Sequence, residues 1–181
     1  MVAALVGRCS VATAIGPVAL GWTADAIASV RLPAVVGAGD RLAGPSREIA
    51  DEPRPTFVER ACTGIRALLD GRPEDLTDVP VDVGPAGAFD LGVYRICRSI
   101  EVGSTLTYGE IARRLGEPHG AQAVGRAMAR NPVPVLVPCH RVLGTGWIGG
   151  FSGAGGTSTK LRMLEIESIH SRDPFQTALP I

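Results

Sequence analysis

Hydrophobic and polar positions change their rhythm along this chain. Between residues 8 and 32 short apolar runs alternate with small polar residues, and the runs break at Gly16-Pro17 and at Thr23-Ala24-Asp25. That pattern predicts a meander of three short strands. Residues 33–55 carry four prolines and three glycines and read as an irregular connection. Thr56 with Glu59 three residues on has the form of a capping box, and Val58, Cys62, Ile65 and Leu69 keep helical spacing until Gly71-Arg72-Pro73. Val79 to Val83 reads as one further strand.

The second half of the chain is helical in period. Phe89, Val93, Ile96, Cys97 and Ile100 recur at a spacing that only a helix places on one side. Thr107 and Glu110 form a second capping box, opening a short helix with Ile111 and Leu115 inward and Gly116 at its end. Pro118 enforces a turn. The helix after it, from about Ala121 to Arg130, carries three stripes: Val124, Ala127 and Met128 apolar; Ala121, Gly125 and Ala129 small; Gln122, Arg126 and Arg130 polar. Helix, tight turn and helix is a DNA-binding arrangement, and a small stripe beside a polar one lets a helix lie close to a sugar–phosphate backbone. Ordinary helix packing gives the same pattern.

Composition narrows the class. With 45% hydrophobic and 20% charged residues, the chain is an ordinary globular one rather than a disordered one. Arg8 and Asp25 interrupt the apolar N-terminus, so neither a signal peptide nor a membrane span is supported, and a cytoplasmic place is expected. The 18 basic and 18 acidic residues cancel, but they are segregated: residues 1–90 hold eight basic against twelve acidic, and residues 91–150 hold seven against three. A basic part beside an acidic one would turn a single face toward a polyanion.

Chemistry concentrates in one stretch. Asn131-Pro132-Val133-Pro134 ends the striped helix, and Val135-Leu136-Val137 reads as a short buried strand or extended segment leading into Pro138-Cys139-His140-Arg141. Pro138 restricts the backbone on both sides and so presents a rigid thiol. A free thiol is only a few per cent ionised at neutral pH, so a reacting cysteine needs a base or a positive field, and His140 and Arg141 are candidates for both. The other cysteines, Cys9, Cys62 and Cys97, form no Cys-x-x-Cys pair and read as packing residues, with no disulfide framework or zinc site signalled. Taken alone, Cys139 and His140 also fit a buried structural cysteine beside a surface histidine, or a cysteine hydrolase.

Longer motifs distinguish these readings. Thr107-Tyr108-Gly109-Glu110-Ile111-Ala112, then Ala123-Val124-Gly125, then Asn131-Pro132, then Pro138-Cys139-His140-Arg141-Val142 resembles, in order and spacing, the signature of the O6-alkylguanine-DNA alkyltransferases. The resemblance implies an α+β fold: a ribonuclease-H-like N-terminal lobe (residues 1–86) with a small antiparallel sheet and a helix, a helical, winged-helix-like lobe (87–170) carrying a helix-turn-helix, and a tail (171–181). It implies a monomer that binds DNA containing O6-alkylguanine, flips the lesion through the minor groove and moves the alkyl group irreversibly onto its own cysteine, once per molecule. Neither a cofactor nor a metal nor a membrane is implied. The alternative within this family is a lesion-binding protein with impaired transfer.

The same resemblance assigns roles. Cys139 is the acceptor, His140 the base acting through a water, and Glu167 the carboxylate that orients His140; Asn131 braces the turn and Tyr108 serves N3 of the extruded base. Phe151, Ser152, Val142, Pro134 and Lys160 are expected around the substrate, with Ser152 serving O6. Ala121, Gln122, Gly125, Arg126, Arg130, Arg141 and Thr107 are expected at the DNA. Gln122 stands where the family usually carries an intercalating arginine, which implies weaker engagement of paired duplex. Phe151 replaces a tyrosine, and the stretch Gly153 to Thr159 is longer than usual before Lys160, which implies a looser lid.

Overall fold

The computed structural model describes residues 4–33 and 54–168; the expected tail and most of the expected 33–55 connection lie outside them. The expected meander forms from β1 (Gly7–Val11), β2 (Val18–Trp22) and β3 (Ile27–Arg31), an antiparallel sheet in the order β1-β2-β3. Its alternation buries Cys9, Val11, Val18, Leu20, Ile27 and Val30 on the inner face, each such side chain contributing about 1.5–3 kcal/mol on leaving water. The helix α1 (Thr56–Leu69) covers that face through Val58, Cys62, Ile65 and Leu69.

Two local expectations for this half are corrected. Thr56 does not cap α1: Pro55 occupies the N-cap, and its carbonyl accepts from Val58 and Glu59 N–H. Proline already provides the extended entry a cap needs, which moves Thr56 into the first helical turn. Glu59 faces Arg54 instead, at 3.8 Å. Val79 to Val83 makes one bridge to Ile27 rather than a strand. Pro80 has no N–H to extend the ladder, and the Asp82 side chain accepts from Gly84 N–H and turns the chain away.

Beyond it, α2 (Ala88–Arg98), α3 (Tyr108–Arg114) and α4 (Ala121–Ala129) pack together. The Thr107–Glu110 capping box is present with both reciprocal bonds, and Gly116 ends α3 with φ +77°. The two-residue strands β4 (Leu106–Thr107) and β5 (Val142–Leu143) pair in parallel and anchor the start of α3 beside the segment that follows Cys139. The last helix, α5, spans Gly156–Ser168. Thr157 to Thr159, expected in a long lid, are instead its first turn, with Thr159 buried and its hydroxyl donating to the Ala154 carbonyl.

Long-range backbone and side-chain bonds place these parts around one point. Val30 N–H donates to the Pro132 carbonyl, tying β3 to the turn before Cys139. Tyr94 donates to the Ala127 carbonyl and joins α2 to α4. Arg98 donates to the Leu76, Thr77 and Val79 carbonyls. The buried cluster runs without interruption from the sheet through α1 and α2 to Val133, Val137 and Cys139.

Candidate active site

Val133 to Pro138 is buried, as expected for Val135-Leu136-Val137, but is not extended. Val137 N–H donates to the Val133 carbonyl, and Pro134 pairs with Val137 across a tight turn in which Val135 takes φ +75°. A β-branched residue there is strained by about 1–3 kcal/mol. Asn131 holds the turn: its amide donates to the Val137 carbonyl at 2.8 Å and its oxygen accepts from Val133 N–H at 3.0 Å. Two prolines remove donors that a strand would need, and the Asn131 side chain supplies the bonds that the backbone cannot. Pro138 then leads into a single 3-10 turn, Cys139–Arg141.

Behind Cys139 lies a buried polar group. His140 is fully buried, with Nε2 at 2.9 Å from Glu167 Oε1. Arg141 donates from Nε and Nη2 to the two oxygens of Glu167, each at 2.8 Å, and from Nη1 to the Ile100 carbonyl. Burial works against the Glu167 charge, but His140 and Arg141 outweigh it and bring its pKa down to about 2. An ionised carboxylate only accepts, so Nε2 of His140 carries the proton. Burial lowers the His140 pKa below 6.5, more than Glu167 can restore, so the ring is neutral and Nδ1 holds a free lone pair. That Nδ1 is buried and has no protein partner.

The thiol itself is held up, not down. Burial raises the Cys139 pKa, against opposing contributions from the Asn131 side chain and Lys160. The resting sulfur is therefore a thiol, and its proton must leave as it reacts. The cation near it is Lys160 rather than Arg141. Lys160, the one lysine of the chain, is fully buried and donates to the Val142 and Gly150 carbonyls at 2.6 and 3.2 Å, with Nζ 6.0 Å from the Tyr108 ring centre. Burial brings its pKa down to about 8.

Cys139 forms part of the floor of a cavity of about 670 Å³ bordered by Tyr108, Gly125, Met128, Trp147 and Phe151. A smaller one, about 300 Å³, reaches it from the β3 side past Arg31, Asn131, Pro134 and Ser152. Another of about 770 Å³ opens elsewhere, among Glu74, Asp75, Arg98 and Glu101. It does not include Cys139, so the chemistry belongs to the first. Gly149, at φ +77°, allows the loop to pass Tyr108: a Cβ there would sit 3.0 Å from the tyrosine oxygen. The Tyr108 hydroxyl reaches the Gly150 carbonyl at 3.4 Å, and burial raises its pKa.

A buried cysteine below an open cavity, a neutral histidine oriented by a carboxylate, and a helix-turn-helix on the cavity wall agree with what the chain is similar to. The model of the 6-O-methylguanine DNA methyltransferase DNA-binding domain matches residues 88–169. A methylated-DNA–protein-cysteine methyltransferase of Methanothermobacter thermautotrophicus is 36% identical over 130 residues, 71% of either chain. One from Mycobacterium leprae is 41% identical over 95 residues, 51% of this chain and 56% of that relative. The crystal structure of Mycobacterium tuberculosis OGT in complex with DNA superposes with a TM-score of 0.71 at 30% identity, over 94% of this chain and 98% of that one. The chain belongs to the methylated-DNA–protein-cysteine methyltransferase family.

Measured against the residues expected of such a methyltransferase, the structure gathers Cys139, Tyr108, Phe151, Ser152, Ala121, Gln122 and Gly125 around one cavity. Arg126 is exposed on α4. Arg130 is exposed but spends its charge on Asp90, with three donor contacts of 2.7–3.2 Å. Arg141, expected at the DNA, is buried beneath the site and bound to Glu167, because a buried carboxylate needs a bidentate cation. Lys160 and Val142 lie behind the cavity wall rather than in it, joined by the Lys160 bond. Thr107 caps α3 and borders neither cavity. Sequence reasoning missed Trp147 and Arg31. Trp147 stands alone among glycines in Gly144-Thr145-Gly146-Trp147, a composition that marks an exposed loop.

Proposed function

We propose that Cys139 is the alkyl acceptor of a DNA repair reaction in which an O6-alkylguanine, turned out of the duplex, enters the 670 Å³ cavity. The observation that carries the proposal is the His140–Glu167 contact, which leaves Nδ1 as a buried, unpartnered base on the residue next to Cys139. The thiol proton passes to Nδ1 through a water, the sulfur lone pair forms the bond to the alkyl carbon, and the carbon–O6 bond breaks with its electron pair leaving on guanine. Tyr108 and Ser152 donate to N3 and O6 as negative charge develops there. The product is a thioether that water cannot displace, so each molecule reacts once.

DNA is the partner, as in the M. tuberculosis OGT complex. The exposed Arg113, Arg114 and Arg126 on α3 and α4 supply the phosphate contacts, while the small residues Ala121 and Gly125 permit close approach. We place residues 1–86 in a sheet lobe and 87–170 in the lobe that carries DNA contacts and acceptor, and we place the protein in the cytoplasm as a monomer. Among the described residues no helix is long and apolar enough to cross a membrane. A lesion-binding chain without transfer is not favoured, since Cys139 and the polar group behind it are both present. Incubation with duplex containing O6-methylguanine should add one methyl group to Cys139, seen by peptide mass; no gain at saturating lesion, or a gain that survives Cys139→Ala, refutes the proposal.

A further inference from the structure

The Cys139 cavity has an aromatic residue at its mouth that none of the chemistry above uses. Trp147 is 60% exposed, in contrast to the half-buried Tyr108 and Phe151 on the walls of the same cavity. The chain has two tryptophans, and the other, Trp22, is in the core. Trp147 is also held in place. Gly144 N–H donates to the Trp147 carbonyl at 3.1 Å, closing a bridge over a turn in which Gly146 takes φ +77°. The indole lies across Gly144 so closely that a Cβ there would meet its Nε1 at 2.0 Å. A glycine turn thus presents an aromatic ring to solvent in one orientation.

Resting on the repair reading of Cys139, we propose that Trp147 is a DNA contact that stacks on a base next to the extruded nucleotide. Tyr108 and Phe151 already wall the inner cavity, so a ring at the exposed edge meets the part of the DNA that stays outside. The same cavity is bordered by α4 with Ala121 and Gln122. Gln122 is neutral and offers neither the charge nor the plane of a guanidinium. Stacking on an aromatic ring serves any base sequence, which suits a protein whose target is a lesion rather than a sequence.

The test separates engagement from chemistry. In a Cys139→Ser background, anisotropy of a labelled duplex containing O6-methylguanine should show Trp147→Ala binding about 5- to 150-fold more weakly, the range of one base–aromatic stack. Trp147→Phe should stay within about threefold of the parent, since it keeps a ring. Saturating duplex should quench tryptophan emission in the parent and not in Trp147→Phe, where Trp22 alone emits. With Cys139 intact, Trp147→Ala should slow alkylation by sub-saturating duplex O6-methylguanine more than alkylation by free O6-benzylguanine. Duplex binding unchanged by Trp147→Ala overturns the proposal, as does an equal loss toward DNA and free base, which would make Trp147 a wall of the cavity. Loss of a dimer without loss of DNA binding also overturns it. A parent that binds and quenches but gains no mass from either substrate sinks the repair reading and leaves the Trp147 contact standing.

Discussion

Replacing Glu167 with glutamine tests the buried polar group at its centre. The substitution keeps the shape and removes the charge, leaving Arg141 buried without its anion and offering His140 Nε2 an amide that can donate as well as accept. Breaking one partner of such a pair costs about 3–5 kcal/mol. The carboxylate pKa of about 2, against 4.5 ordinarily, corresponds to about 3 kcal/mol of stability at neutral pH, in agreement with that range. Because the folded pKa is depressed, this stability is complete above about pH 4.5 and disappears as pH falls toward 2. His140, lowered from 6.5, adds a loss in the same direction beginning at 6.5, since the unfolded chain takes up its proton first. Urea unfolding from pH 7 to 3 should show Glu167→Gln less stable at neutral pH and less sensitive to acid than the parent.

Transfer gives the second readout of the same substitution. With Nε2 no longer obliged to hold the proton, the tautomer with a basic Nδ1 is no longer enforced, and single-turnover alkylation should fall, with the about 10²- to 10⁴-fold contribution of a general base as the upper limit. In the parent the acid limb of the rate should lie below pH 6.5, because burial keeps His140 neutral. Adding Arg141→Met to Glu167→Gln should recover stability by removing the stranded cation but should not recover transfer. A Glu167→Gln protein that alkylates at the parent rate, or that keeps the parent's acid sensitivity, refutes the assignment of the carboxylate as the group that fixes the histidine proton.

Two further outcomes are expected. Asn131→Ala orphans the Val133 N–H and removes one of the two donors to the Val137 carbonyl, which keeps Cys139 N–H, at about 1–3 kcal/mol for the unpaired buried group; chemical denaturation should show the loss, and transfer should fall while lesion binding persists. Arg126→Ala should reduce the slope of log affinity against log salt by about one, whereas Arg130→Ala should reduce it less, because Asp90 already neutralises that guanidinium. Equal slopes for the two variants would show that the Asp90 pair opens on DNA.

Elements governed by near neighbours were legible in the chain itself. The strands β1 to β3 follow from alternation and turn residues, α3 from Thr107 and Glu110 three positions apart, and α4 from its apolar, small and polar stripes; each rule operates within about four residues. The motif around Cys139 marked the candidate acceptor, and its residues lie within a similarly short range. Errors arose where one residue changed a local rule, as Pro55 did for the start of α1 and Pro80 for the expected strand. The run Val135-Leu136-Val137 misled because burial alone does not distinguish a strand from a turn. What made it a turn was a side chain, Asn131, satisfying backbone groups two and six residues away.

The protonation of the site was decided by tertiary structure alone. Glu167 is 26 residues from Arg141 and 27 from His140, and no periodicity in the chain shows that all three share one unsolvated volume. Desolvation and distance determine which of them is charged, which histidine nitrogen holds the proton, and that Arg141 serves a carboxylate instead of a phosphate. They also make Lys160 the cation that acts on the thiol and keep that thiol neutral at rest. The residue types required for alkyl acceptance are written in the chain; which of them hold protons at rest depends on burial, and burial exists only once distant segments have packed.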